Sequence, residues 1–147
     1  MGNVYHASDP LRNRVYDWED GCVLANGHIF TMALARKWVR QACRHYKVKP
    51  ATVVPIGHNR TLSFYSTKHK RIAFIPTHRN PVVVLHEAAH HISDVLFGHE
   101  QADHCKEWFS IYMWLLLKFG VYKKGFLRGS LKPYRLRLRP LGPEKIP

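Results

Sequence analysis

The run Leu85-His86-Glu87-Ala88-Ala89-His90 holds two imidazoles four residues apart with a carboxylate between them. On a helix, residues at i and i+4 share a face with about 5–6 Å between their Cβ atoms. Two imidazoles so placed can reach one ion at a metal–nitrogen distance of about 2.1 Å, a donor set that suits Zn2+. Glu87 is rotated off that face, so its carboxylate flanks the ion and can take a proton from water. A catalytic zinc needs a third protein ligand and an open fourth position. The candidates are His99, Glu100, His104 and Glu107. His91 lies about 100° off the ligand face and is a poor choice. His99 follows the end of the helix too closely for the chain to have returned. His104, on the next helix, is favoured, with Glu107 one turn further and His99 as the alternatives.

These residues need a rigid platform. Asn80 can cap a helix with Pro81 at its first position, where a missing N–H costs nothing. Val82, Val83 and Val84 favour a strand. The apolar series Leu85, Ala88, Ala89, Ile92, Val95 and Leu96 decides for a helix. Gly98 can end it. Asp103 is expected to start another helix, running to about Gly120, apolar almost all round and therefore central. Asp94, one turn past His90, could orient a ligand imidazole or be a surface acid. Upstream, Thr31 can cap a helix to about Tyr46, apolar at Ala35, Trp38, Val39, Ala42 and Cys43. Its other face carries Arg36, Lys37, Arg40 and Arg44. Two or three strands are expected, near 52–56, 62–66 and 71–75, with 67–70 turning the last two into a hairpin. Asn26-Gly27 signals another hairpin between 23–25 and 28–30. The fold class is α+β: a short twisted sheet packed on the metal helix and the helix after it.

The chain has 147 residues, 46% of them hydrophobic, which suits one domain with a proper core. Three cysteines without a CxxC suggest a reduced, cytoplasmic chain. No signal peptide is expected, and the longest apolar run, 109–117, is too short for a bilayer. A net charge of +13 suggests a polyanionic partner such as DNA or RNA. After Gly120 the chain turns basic and proline-rich. Residues 121–147 are therefore expected to form an extended arm beyond a domain of residues 1–120, with an edge strand at Tyr134–Arg139. Nucleic acid would meet Arg36, Lys37, Arg40 and Arg44, together with Lys123, Lys124, Arg128, Arg135, Arg137 and Arg139 of the arm.

The segment LHEAAHHISD…DHCKEWFSIYMWLL resembles the LHELAHH…HGPEFxxxYxxLL pattern of a small family of metallohydrolases of actinobacteria and their phages. More distantly it resembles the SprT-like and WLM minimal zincins, whose HExxH is followed by HxxxF or HxxxW. On this pattern His104 is the third ligand, followed by Trp108, and Tyr112 falls on the family's tyrosine. Cys105 stands where the family usually has glycine. Residues 71–76 resemble the strand before the metal helix, and NRVYDWE the family's opening. Most of residues 13–118 are covered, but only the metal segment is specific.

The resemblance implies a zinc-dependent hydrolase, most often of peptide bonds, in a bacterial cytoplasm or that of a phage host. His86, His90 and His104 would hold zinc, with Glu87 as general base. Tyr112 would be an oxyanion donor or a core tyrosine. Arg71–Ile75 would be the edge strand that takes a protein or peptide substrate. The rival reading is a nucleic-acid-binding or phage structural protein with a structural or vestigial metal site. An intact Glu87 speaks against the rival, because a purely structural site needs no general base.

Overall fold

The computed structural model describes residues 9, 11–23, 28–56, 62–98 and 103–147. The architecture is α+β, with five helices and a three-stranded mixed sheet. Helix α1 (Arg12–Trp18) runs into a π turn, Glu19–Val23. Helix α2 (Met32–His45) follows, then β1 (Thr52–Pro55), β2 (Phe64–Ser66) and β3 (Arg71–Phe74). Helix α3 (Pro81–Phe97), α4 (Lys106–Lys118) and α5 (Lys124–Leu131) complete the set. No described helix is long and apolar enough to cross a membrane.

Local chemistry places the elements. The Thr31 hydroxyl accepts from Leu34 N–H at the start of α2, and the Asn80 side chain accepts from Val83 N–H at the start of α3. Gly98, with φ of 88°, ends α3. Helix α4 packs along α3, and its Trp108, Ile111, Tyr112, Leu115 and Leu116 are fully buried. Helix α2 packs on the other flank of α3 and on β1. The sheet contributes Val53, Ile72 and Phe74 to the same core.

Several expectations are corrected. The sheet order is β1-β3-β2, with β1 parallel and β2 antiparallel to β3. The 71–75 segment is therefore the centre of the sheet and has no free edge for a substrate. Helix α4 starts at Lys106, not Asp103, because Cys105 is the extended N-cap and its sulfur accepts from Trp108 N–H. Helix α1 was not expected from the sequence. The Asn26-Gly27 turn lies outside the described residues, and its flanks, Val23 and residues 28–30, form no strand.

The C-terminal segment is not an extended arm. Leu127 and Leu131, one helical turn apart on α5, are fully buried in the common core, and Leu136 joins them. Trp18 Nε1–H donates to Ser130 Oγ at 3.0 Å, and Arg14 donates to the Arg135 carbonyl at 3.0 Å. A Cβ on Gly21 would lie 2.5 Å from the Tyr134 hydroxyl, so only glycine lets that ring approach. Residues 135–142 carry no strand; they run as a strap whose Leu141 N–H donates to Ser110 O and whose Leu141 carbonyl accepts from the Tyr46 hydroxyl.

Candidate metal centre

His86 and His90 project from one face of α3, as their spacing requires. His104 reaches the same point from the turn before α4. One ring nitrogen from each of the three lies within 4.8 Å of the other two. The Nε2 atoms of His86 and His90 are 3.2 Å apart. Two nitrogens at about 2.1 Å from a tetrahedral ion would be separated by about 3.4 Å, so the spacing fits. Glu107, on α4, is not among the converging groups, and His99 and Glu100 lie outside the described residues.

Two carboxylates that sequence reasoning missed orient the rings. His86 Nδ1–H donates to Glu19 Oε2 at 2.7 Å, and His104 Nδ1–H donates to Asp9 Oδ2 at 2.8 Å. With Nδ1 protonated, the Nε2 lone pairs are left facing inward, the tautomer a metal ligand needs. Asp9 also accepts the His104 backbone N–H through Oδ1 at 3.2 Å. That clamp does for His104 what the expected helix would have done. The test of fit is His104 Nε2: it is buried with no hydrogen-bond partner among the described residues, a costly state unless a cation takes its lone pair. Trp108 forms the floor, stacked on His90 at 4.8 Å and edge-on to His86 and His104.

The electrostatics follow from burial. Burial pushes His90 well below the usual imidazole range, and the neighbouring His86 and His104 add to the effect. Burial and His86 also lower His104, with Asp9 opposing. For His86 burial is outweighed by Glu19, and its pKa is raised. Metal-free, His86 thus pairs with Glu19, and a cation at Nε2 would take the place of the ring's second proton. Glu87 is buried, and desolvation lifts it to about 7, with His86 opposing and Glu19 adding.

Tyr112 is 0% exposed and its hydroxyl donates to Glu19 Oε2 at 2.7 Å. It therefore steadies the carboxylate that holds His86, as a core tyrosine with a satisfied hydroxyl does. Asp94 is neither a ligand's partner nor a surface acid. It is buried and accepts from Tyr65 and Lys70. His91 faces away, between the Tyr65 hydroxyl and the Lys49 carbonyl.

A cleft of about 490 Å3 opens beside His86 and Glu87, bounded by Tyr16, Leu62, Ser63 and Val83. Tyr16 was also missed. Its ring lies parallel to His86 at 6.1 Å and edge-on to His104 at 5.1 Å, while the residue keeps 37% exposure. Burial and then Glu87 raise its hydroxyl to about 12, so it remains a donor at neutral pH.

The basic residues singled out in the sequence, Arg36 to Arg44 on α2 and Lys123 to Arg139 in the C-terminal segment, are all exposed. They are not gathered on one arm. Arg36 donates to the Val53 carbonyl, and Arg135 lies against α1. No family model, curated protein or solved structure matches the chain.

Proposed function

We propose that the protein is a zinc-dependent metallohydrolase acting on peptide bonds. His86, His90 and His104 hold the metal, and Glu87 is the general base. The observation that carries the proposal is the convergence of three imidazole nitrogens beside a cleft that also exposes a buried, proton-hungry carboxylate. When bound, zinc supplies Lewis acidity to a water and to a carbonyl oxygen. Glu87, bordering the cleft, would accept the proton of the attacking water and pass it to the leaving amine. Glu19 and Asp9 hold the ligand rings in register.

The sheet supports a peptide substrate. On β1, Thr52 N–H and Ile56 N–H bond to β3, so Val53 and Pro55 face outward. The Val53 carbonyl is taken by Arg36, and Pro55 has no N–H, so this edge is blunted. Strand β2 is the opposite terminal strand, and the residues leading into it, Leu62 and Ser63, border the cleft. Among the described residues nothing pairs with its outer edge. An extended peptide added there would run past Glu87.

Glu87→Gln keeps size and hydrogen bonding but cannot accept the proton. Mass spectrometry of a digested protein pool should show zinc-dependent, chelator-sensitive cleavage by the wild type. The variant should cleave at least about a hundredfold more slowly at equal zinc content. Identical rates in the two forms would sink the proposal.

A further inference from the structure

The charge of this protein is segregated. Between Gly21 and His86 there is no Asp or Glu at all. Among the described residues the only Lys or Arg in an ion pair is Lys70, which meets Asp94. The cations on the outer face of α2 therefore have no internal counter-charge. Two adjoining hollows lie along this side. One, of about 390 Å3, is lined by Gln41, Arg44, His45, Lys118 and Phe119. The other, of about 290 Å3, is lined in part by His28, Trp38, Phe119 and Tyr122. Phe119 borders both, so its side chain stands between them. A water occupies about 30 Å3 of liquid, so each has room for a substantial ligand.

Arg44 and Lys118 are the cations of the lining, and aromatic rings supply much of the rest, with Phe30 buried behind Trp38. His45, Phe119, Trp38, Phe30 and His28 form an unbroken series of ring contacts at 6.1, 4.7, 4.9 and 5.4 Å. Beside it Tyr122 stacks on Phe126, which is itself exposed. Arg44 and Lys118 stand at one end of this series. Glu144, in the turn Pro143–Lys145 after the strap, folds back over Gly142 beside Trp114, whose ring in turn meets His45 at 5.4 Å. Neither hollow shares a residue with the cleft at the metal centre.

We infer that the groove between α2 and the end of α4 binds single-stranded nucleic acid, with phosphates on Arg44 and Lys118 and bases on the rings of His45, Phe119 and Trp38. Cations tracking a backbone and ring faces that accept any base are what a sequence-tolerant single-strand site requires. A duplex hides its base faces, and a saccharide polyanion has none, so the rings would be of no use to either. This inference stands independently of the metal centre.

The test is fluorescence anisotropy with labelled oligo(dT) and oligo(U), a duplex of equal length, and heparin as competitor, at stepped salt. The single strands should bind most tightly, weaken with salt and quench tryptophan emission; the tighter of the two identifies the natural source. Each phosphate contact gives about 0.7 in the slope of log K against log salt for single strands. The double variant Arg44→Ala, Lys118→Ala should therefore flatten the slope by about 1.4. Both side chains are exposed, so folding should survive. Phe119→Leu keeps an apolar side chain and removes the ring, and should weaken single-strand binding about fivefold or more at an unchanged slope. Equal affinity for duplex or heparin would mean ion exchange alone and would overturn the inference, as would unchanged binding in both variants.

Discussion

Around His86 the carboxylates are buried, and Glu19 and Asp9 are hydrogen-bonded; along α2 the cations are exposed and have no ionic partner among the described residues. Glu19 serves two donors, His86 and Tyr112, and Asp9 serves a ring and a backbone N–H. Arg40 and Arg44 serve solvent. A buried charge that loses its partner leaves an uncompensated group in a poorly solvated interior, whereas an exposed one is rehydrated. The contrast separates charge that fixes geometry from charge that is offered outward. It also gives an order of expected effects.

The largest effect should come from Leu131→Ala. If the C-terminal segment is part of the core despite its basic composition, denaturant unfolding should show a loss of about 2–5 kcal/mol. A change under about 0.5 kcal/mol would return the segment to the outward-facing class. Next is the metal itself. At a hundredfold excess over Kd a native-state ligand stabilises by about 2.7 kcal/mol. Zinc should raise Tm accordingly in the wild type and in His91→Ala, but not in His104→Ala. A full zinc shift in His104→Ala would remove that residue from the ligand set.

Glu19→Gln should follow. It keeps shape but weakens the hold on His86, and zinc affinity by competition with a chelating dye should fall about 10–100-fold. An unchanged affinity would mean that Glu19 is merely packed. Arg40→Ala should be smallest, within about 0.5 kcal/mol in stability and without effect on zinc. A larger loss would break the division between the two regions.

What was legible in the sequence follows the range of each interaction. His86, Glu87 and His90 sit within one helix, so spacing alone fixes their relative placement. Caps at Thr31 and Asn80 are equally local. Glu19 and Asp9 were invisible because their partners are 67 and 95 residues away. Nothing in an isolated acid tells a surface position from a buried clamp. Strand segments and the antiparallel pairing of β2 with β3 were found, because the turn between them is local, but not the parallel place of β1 beside β3, since alternation reports burial and not neighbours. Helix α5 was obscured by Gly125, Gly129 and the prolines beyond it. Leu127 and Leu131, four apart, were the signal that composition outweighed. Tyr16 was missed because α1 is short and its apolar pattern rests on Val15 and Trp18.

The clamp from Asp9 to His104 also sets an order of assembly. Asp9 and Glu19 leave the ribosome long before the histidines they will hold. Until residue 104 has emerged, His86 and His90 offer a metal only two donors, on a helix whose packing partner is still unmade. Closing a loop of this span adds little extra entropy over a shorter one, but contacts so distant in sequence form slowly. The three-nitrogen site therefore appears only when the domain has closed, and metal capture under the proposed function would be a late event that selects the finished fold over its precursors.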